Sequence, residues 1–431
     1  MPTKANPELK RRAFTTLALT SLLGCKADET AADSASDSAS ASASASASDS
    51  APASVSAPAS ASASAPASAS ASVPPLFRVF PAMAARLPRL PLGRFPTPIV
   101  RASQLEKRID SGDIYIKRDD LSGELYGGGK TRKLELFLAA AATEGAEELV
   151  TFGGVGSNQA VATALWGARH GFRVRLFLAP QKSSLLVRQN LLAAKRAHAT
   201  IVLAAEGVGK AEAFMLAEVG RIRKYGRDKP PYLIPPGGSS PLGNLAFVSA
   251  ALELAEQIGQ GLMPVPDRIY MAMGTMGSAV GLALGVAIAN LRTEIVAVRA
   301  SSPETSSEAR FYSLARETVA YARGLDASFP NIELGHARVR FLGNYLGRGY
   351  GAPTKQGLAA ITLLHETEGL TLEPTYTAKA MAALVAESKQ SPSRVVLFWN
   401  SHNSQPLLTD SVAPETFPVS LRHYLNPIVQ E

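Results

Sequence analysis

The chain reads as an α/β protein built on parallel sheets with helices on both faces, and three observations point there. From residue 74 onward, short β-branched and apolar runs alternate with amphipathic stretches of helical length. Glycine-rich turns repeatedly stand between such a run and such a stretch. The folded part, about 350 residues, is long enough for two domains sharing a cleft. Strands are predicted at 114–117, 148–152, 173–178, 200–203, 232–234, 268–273, 294–299 and 394–398. Helices are predicted at 131–144, 157–170, 184–197, 210–225, 242–258, 278–291, 308–323, 355–368 and 378–388. Strands alternating with helices imply parallel sheets covered on both faces. Ligands of such sheets sit beyond the carboxyl ends of the strands, at loop-to-helix turns. There is no internal repeat.

The first seventy-five residues read as an address and a tether. Lys10, Arg11 and Arg12 precede an apolar run, 13–23, that is too short to span a bilayer. It ends in Leu22-Leu23-Gly24-Cys25, which resembles a bacterial lipobox. The expectation is a lipoprotein-type signal peptide over 1–25, with Cys25 lipidated. The chain would then be an exported protein anchored on the periplasmic or cell-surface side of a membrane. Arg11-Arg12-Ala13-Phe14 also resembles the twin-arginine export pattern. Residues 31–73 are almost wholly Ser and Ala with some Asp and Pro, and lack Leu, Ile and aromatics. Such a segment cannot bury enough apolar surface to offset its ordering entropy, so 26–75 reads as a disordered tether.

The formal charge of +8 comes from Lys and Arg scattered singly or in pairs, without a basic run or interleaved aromatics, which argues against nucleic-acid binding. Cys25 is the single cysteine, so neither an intramolecular disulfide nor a Cys/His metal cluster can form.

Three turns carry the chemistry. The first, Tyr126-Gly127-Gly128-Gly129-Lys130-Thr131-Arg132-Lys133, puts two lysines at a helix start. The macrodipole disfavours cations there, so the arrangement makes sense if Lys130 is a neutral imine or if an anion binds nearby. A lysine beside other cations also loses its proton more readily, as Schiff-base chemistry requires. The second turn, Phe152-Gly153-Gly154-Val155-Gly156-Ser157-Asn158-Gln159, runs from a strand into a helix capped by Ser157, and its free N–H groups form an anion site. The third, Met273-Gly274-Thr275-Met276-Gly277-Ser278, has the strand, glycine turn and helix start of a phosphate cradle. It lacks a Walker lysine and dinucleotide-fingerprint spacing.

Together these residues resemble the fold-type-II pyridoxal-phosphate (PLP) enzymes, and most of all the branch holding 1-aminocyclopropane-1-carboxylate (ACC) deaminase and D-cysteine desulfhydrase. The resemblance runs from about 92 to 407. It includes Lys117-Arg118-Asp119-Asp120, Gly349-Tyr350-Gly351-Ala352-Pro353 and Glu373-Pro374-Thr375-Tyr376-Thr377-Ala378-Lys379. It implies a tryptophan-synthase-β-like architecture of two open twisted parallel sheets. Residues 76–126 and 240–431 would form a large PLP-binding domain and 127–239 a small one. It also implies a homodimer acting on a small amino acid.

Residue by residue, the resemblance implies that Lys130 holds the cofactor covalently and moves the Cα proton. Lys133, with the amides of Gly274, Thr275, Met276, Gly277 and Ser278, binds the phosphate. Asn158 bonds the phenolic oxygen, and Ser157 and Gln159 meet the substrate carboxylate or assist proton transfer. Tyr350 and Tyr376 line the substrate side, and Thr377 faces the pyridine nitrogen. ACC deaminases carry Glu at the position of Thr377. A carboxylate keeps that nitrogen protonated and makes the ring a strong electron sink, and a hydroxyl does not. The expected reaction is therefore β-elimination from a small D-amino acid, giving an α-keto acid and ammonia. Alternatives are ACC deamination, another small-amino-acid lyase, or an amino-acid-binding lipoprotein that has lost catalysis.

Two departures from the family pattern stand out. Gly129 replaces the usual Asn before the lysine. The stretch Phe398-Trp399-Asn400-Ser401-His402-Asn403-Ser404-Gln405 replaces a His-x-Gly-Gly segment, so Trp399 and His402 are expected to reshape the pocket. His402 could serve as a general base, although a lone histidine is more often structural.

Overall fold

The computed structural model describes residues 73–204, 214, 216–221, 229–335, 338–390, 394–410 and 412–426, all within the unit Ala71–Glu431. The signal-peptide and tether expectations fall outside these residues, apart from the last three positions of the expected tether.

Among the described residues ten strands follow in chain order: β1 Ile99–Arg101, β2 Ile114–Lys117, β3 Glu148–Gly154, β4 Arg173–Ala179, β5 Thr200–Leu203, β6 Tyr232–Ile234, β7 Arg268–Met273, β8 Glu294–Arg299, β9 Val339–Leu342 and β10 Val396–Trp399. They form a six-stranded sheet of order β1-β2-β10-β7-β8-β9 and a four-stranded sheet of order β5-β4-β3-β6. Every pairing is parallel except the edge pair β1–β2. The central strand β10, Val-Leu-Phe-Trp, is buried at all four positions, as a strand covered on both faces must be. Phe398 pairs with Ile116 on one side and Tyr270 on the other. The carboxyl ends of β2, β10 and β7 therefore lie side by side.

Eleven α-helices can be delimited among the described residues. They are α1 Pro75–Val79, α2 Pro81–Ala84, α3 Ser103–Ile109, α4 Gly129–Thr143, α5 Asn158–Arg169, α6 Leu185–Arg196, α7 Pro241–Gly259, α8 Gly277–Ile288, α9 Glu308–Leu325, α10 Lys355–Glu368 and α11 Thr377–Ser388. Ser157, Ser184, Ser240, Ser307 and Thr354 cap five of them through side-chain oxygens. Helix α8 packs very closely on α7, since a Cβ on Gly281 would lie 2.2 Å from the Asn244 carbonyl and one on Gly285 2.5 Å from Ala251 Cβ.

The predicted α/β class and parallel sheets agree with this architecture. Strands β1 and β9 and the three short helices α1–α3 were not predicted, because three- to seven-residue elements carry too little periodicity to read. The helix expected at 210–225 lies largely outside the described residues; those described within it, 214 and 216–221, are helical.

Candidate active site

Lys130 and Lys133 stand three positions apart on the first turn of α4 and so share one face. Both ammonium groups donate to a single acceptor, the Gly237 carbonyl, at 3.2 and 3.1 Å. Neither forms an ion pair among the described residues. Burial pushes Lys130 down to about 8. Lys133 falls well below the ordinary lysine value through burial and then through the charge of Lys130. The α4 N-terminus has no side-chain cap; its N-cap is Gly128, at φ 79°. A Cβ on Gly128 would sit 2.5 Å from the Ser401 carbonyl, so the position requires glycine both for its backbone and for its neighbour.

The turn between β7 and α8 lies beside these lysines. A Cβ on Gly237 would come within 2.0 Å of Thr275 Oγ1, so the turn that supplies the shared carbonyl is pressed against Thr275. Ser239 Oγ lies 2.7 Å from Thr275 Oγ1 and accepts the Gly277 N–H at 3.0 Å. Met276, at φ 69°, precedes α8 and makes no cap bond of its own, so Ser239 takes the first amide of the helix. The buried Lys133 ammonium, without a counter-charge among the described residues and with half-buried Lys130 beside it, lies by the glycine turn that opens α8, and this setting fits the dianionic phosphate of PLP.

Ser157 Oγ accepts the Ala160 N–H at 3.2 Å and caps α5. Asn190 Nδ2 donates to Asn158 Oδ1 at 3.1 Å, which leaves the Asn158 N–H2 group for an acceptor such as the phenolic oxygen. Gln159 Nε2 donates to Thr163 Oγ1 at 3.1 Å, and its buried Oε1 has no partner among the described residues. That oxygen lies 3.2 Å from a Cβ position on Gly238, as does the Lys133 stem at 3.1 Å. Gln159 is thus placed on the Lys133 side.

Tyr376 donates its hydroxyl to Tyr350 Oη at 3.0 Å, with the rings edge to face at 6.0 Å. Burial raises both phenols, and Tyr376 is raised further by Tyr350 and Glu373, so both hold their protons at neutral pH. The Tyr350 ring is 3.1 Å from a Cβ position on Gly154, and the Tyr376 ring 3.0 Å from one on Gly274. The pair therefore joins the second and third glycine turns. Thr377 begins α11 with its hydroxyl accepting the Glu373 N–H at 3.0 Å.

Several residues without a role in the sequence reading now have one. The Glu373 carboxylate caps α11 by accepting N–H groups of Thr375, Tyr376 and Thr377 at 2.8, 2.7 and 2.8 Å. An acid four residues ahead of a helix was the signal for it. Ser239 and Gly237 belong to a fourth glycine turn, 235–240, whose Pro-Pro-Gly-Gly-Ser-Ser pattern was visible. Beneath α4, Glu253 accepts from Lys117 Nζ at 2.6 Å and from both Arg132 nitrogens at 2.9 Å. Arg132 also donates to Asp119, at 2.7 and 2.9 Å. Trp399, expected to reshape the pocket, is wholly buried beside Phe247 and donates to Asp119 Oδ2 at 2.8 Å. It belongs to the support under the lysine turn.

The family model of pyridoxal-phosphate dependent enzymes matches residues 90–401. The chain is 34% identical to nocardicin C-9' epimerase of Nocardia uniformis subsp. tsuyamanensis, over 74% of this chain and 94% of that one. It is 34% identical to the D-cysteine desulfhydrase of Salmonella choleraesuis (strain SC-B67), over 70% of this chain and 88% of the relative. A crystal structure of an ACC deaminase homologue superposes with a TM-score of 0.65 at 30% identity, covering 77% of this chain and 95% of that one.

The location expected from the N-terminal segment is corrected by these matches. D-cysteine desulfhydrases are matched over 88 to 91% of their own length by 70 to 72% of this chain, and the family model starts at residue 90. The similarity that identifies the protein thus gives no support to an exported lipoprotein anchored through Cys25. Among the described residues no helix is long and apolar enough to cross a membrane. A basic, apolar, small-residue order of the kind seen in 10–25 is too short and too common a pattern to carry the assignment alone. The chain belongs to the pyridoxal-phosphate-dependent enzymes, with D-cysteine desulfhydrases and an ACC deaminase homologue among its relatives, and is a PLP-dependent lyase or deaminase.

Proposed function

We propose that this enzyme catalyses β-elimination from a small D-amino acid such as D-cysteine. With water added, D-cysteine would give an α-keto acid, ammonia and hydrogen sulfide. The observation that carries the choice of reaction is Thr377, a buried hydroxyl at the start of α11 where ring opening calls for a carboxylate. Glu373 does not substitute for one, because its oxygens are taken by three backbone amides.

Bound pyridoxal phosphate supplies an aldehyde that captures amines and a ring that accepts electrons. Lys133 and the amides of Gly274, Thr275, Met276 and Ser278 would hold the phosphate and so fix the register of everything above it, the Gly277 N–H being taken by Ser239. Lys130 carries the attachment and, with an amine pushed down to about 8, takes the Cα proton at Nζ. Asn158 gives its N–H2 group to the phenolic oxygen. Ser157, Asn158, Gln159 and Tyr350 border the substrate. The Tyr350–Tyr376 pair holds a proton beside the departing group, so that the Cβ–S bond breaks with its electron pair leaving on sulfur and the thiol is released protonated. Like the family it resembles, the enzyme would act as a homodimer, a point that light scattering on the eluting peak tests.

The ACC deaminase homologue among the solved neighbours favours cyclopropane ring opening as the second reading. Keto-acid release from D-cysteine, L-cysteine, β-chloro-D-alanine and ACC separates the two. Elimination predicts turnover of the D-cysteine and chloroalanine samples; turnover of ACC alone would overturn it.

A further inference from the structure

The stretch 400–403 leaves β10, which lies between β2 and β7 in the larger sheet. The same edge gives rise to the loop leading to Lys130 and to the turn 274–276. Two side chains here hold buried polar atoms with no hydrogen-bond partner among the described residues, Asn400 Nδ2 and His402 Nδ1. Asn400 is wholly buried, and its Oδ1 accepts the His402 N–H at 3.4 Å. The amide oxygen is thus used inside the turn, and the N–H2 end is left over. The His402 carbonyl lies 2.8 Å from a Cβ position on Gly128, against the lysine loop. Its imidazole is within electrostatic reach of Glu373, on the loop that carries Tyr376 and Thr377, and of Asp120. Burial lowers the imidazole, and those two charges only partly oppose it, so the ring is held as a neutral donor and acceptor. Buried groups of this kind are costly unless something completes them.

We propose that Asn400 and His402 read the substituent on the substrate's β-carbon, and that the preferred substrates carry oxygen there, as a hydroxyl or an O-acyl group. This rests on the elimination reading above. An amide N–H2 needs an acceptor, which an ester or hydroxyl oxygen provides and a thiol provides poorly. The eliminated group is then water or a carboxylic acid.

The test uses the full-length holoenzyme with O-acetyl-D-serine, D-serine, D-cysteine and β-chloro-D-alanine, comparing the wild type with Asn400→Leu, His402→Leu and His402→Gln. The wild type is expected to prefer O-acetyl-D-serine to D-cysteine. Each leucine variant is expected to lose about tenfold or more in kcat/KM, chiefly through KM, on the two oxygen-bearing substrates. The loss on β-chloro-D-alanine, which offers no oxygen acceptor, should be several-fold smaller, the visible cofactor band should persist, and His402→Gln should recover part of the loss. Equal losses on all four substrates, loss of the cofactor band, or no loss at all would overturn the proposal. A wild-type preference for D-cysteine would do so without any variant. If the wild type releases keto acid from none of the four, the elimination reading itself fails and this proposal with it. Turnover of β-chloro-D-alanine without discrimination by the variants removes this proposal alone.

Discussion

Replacing Glu253 with Gln should destabilise the folded protein by an amount that the structure sets. Burial by itself would raise this carboxyl, but the charges of Arg132 and Lys117 and their hydrogen bonds outweigh it and hold the group at about 2. Moving a carboxyl from 4.5 to about 2 on folding favours its ionised form by about 3 kcal/mol. Glutamine copies the protonated form, so the variant should lose about that much at neutral pH, close to the cost of breaking a buried pair. The unit Ala71–Glu431 has an unfolding entropy of roughly 0.75 kcal/mol/K, so Tm should fall by about 4 °C. The sign of the pH dependence follows from the depressed value. The stabilisation is complete above about 4.5 and disappears as pH falls toward about 2, so the difference between wild type and variant should shrink with acid. Calorimetry on both proteins at pH 7 and at pH 3 checks this. A Tm difference under about 1 °C at pH 7, or one that does not shrink at pH 3, would refute the reasoning.

Three further outcomes follow from the site. Lys133→Met removes the ammonium group left for the phosphate once Lys130 carries the attachment and should weaken cofactor affinity about ten- to hundredfold, read by spectral titration; an affinity within about threefold of wild type would exclude the role. Because Lys130 is pushed down to about 8, cofactor uptake by the stripped protein should rise through about pH 8; a midpoint near that of an ordinary lysine would contradict the buried amine. Thr377→Glu should keep the pyridine nitrogen protonated, changing the absorbance of the holoenzyme and its reaction partitioning, whereas unchanged spectra and products would undo the electron-sink argument.

The sheets were legible because their strands are short apolar runs with turn residues at both ends. Five of them, 114–117, 200–203, 232–234, 268–273 and 294–299, begin and end where the sequence pattern placed them. Three-residue β1 follows a proline-rich segment and has no pattern to distinguish it. The glycine turns were legible as anion sites one by one, but only the fold brings Gly237 to both lysines and to Thr275. The Lys117–Glu253–Arg132–Asp119 cluster could not have been read, since charged residues are expected outside unless paired, and the partners are up to 136 positions apart. Trp399 was misjudged for a related reason: its bulk was visible, but the buried carboxylate that takes its N–H was not.

The central claim is that residue 130 holds the cofactor. Borohydride treatment of the yellow holoenzyme followed by peptide mass spectrometry tests it most directly. Bleaching and a single phosphopyridoxyl-modified peptide at Lys130, absent from Lys130→Ala, are expected. Modification at Lys133 or elsewhere, or a Lys130→Ala protein that is still fixed and still turns over substrate, would contradict it.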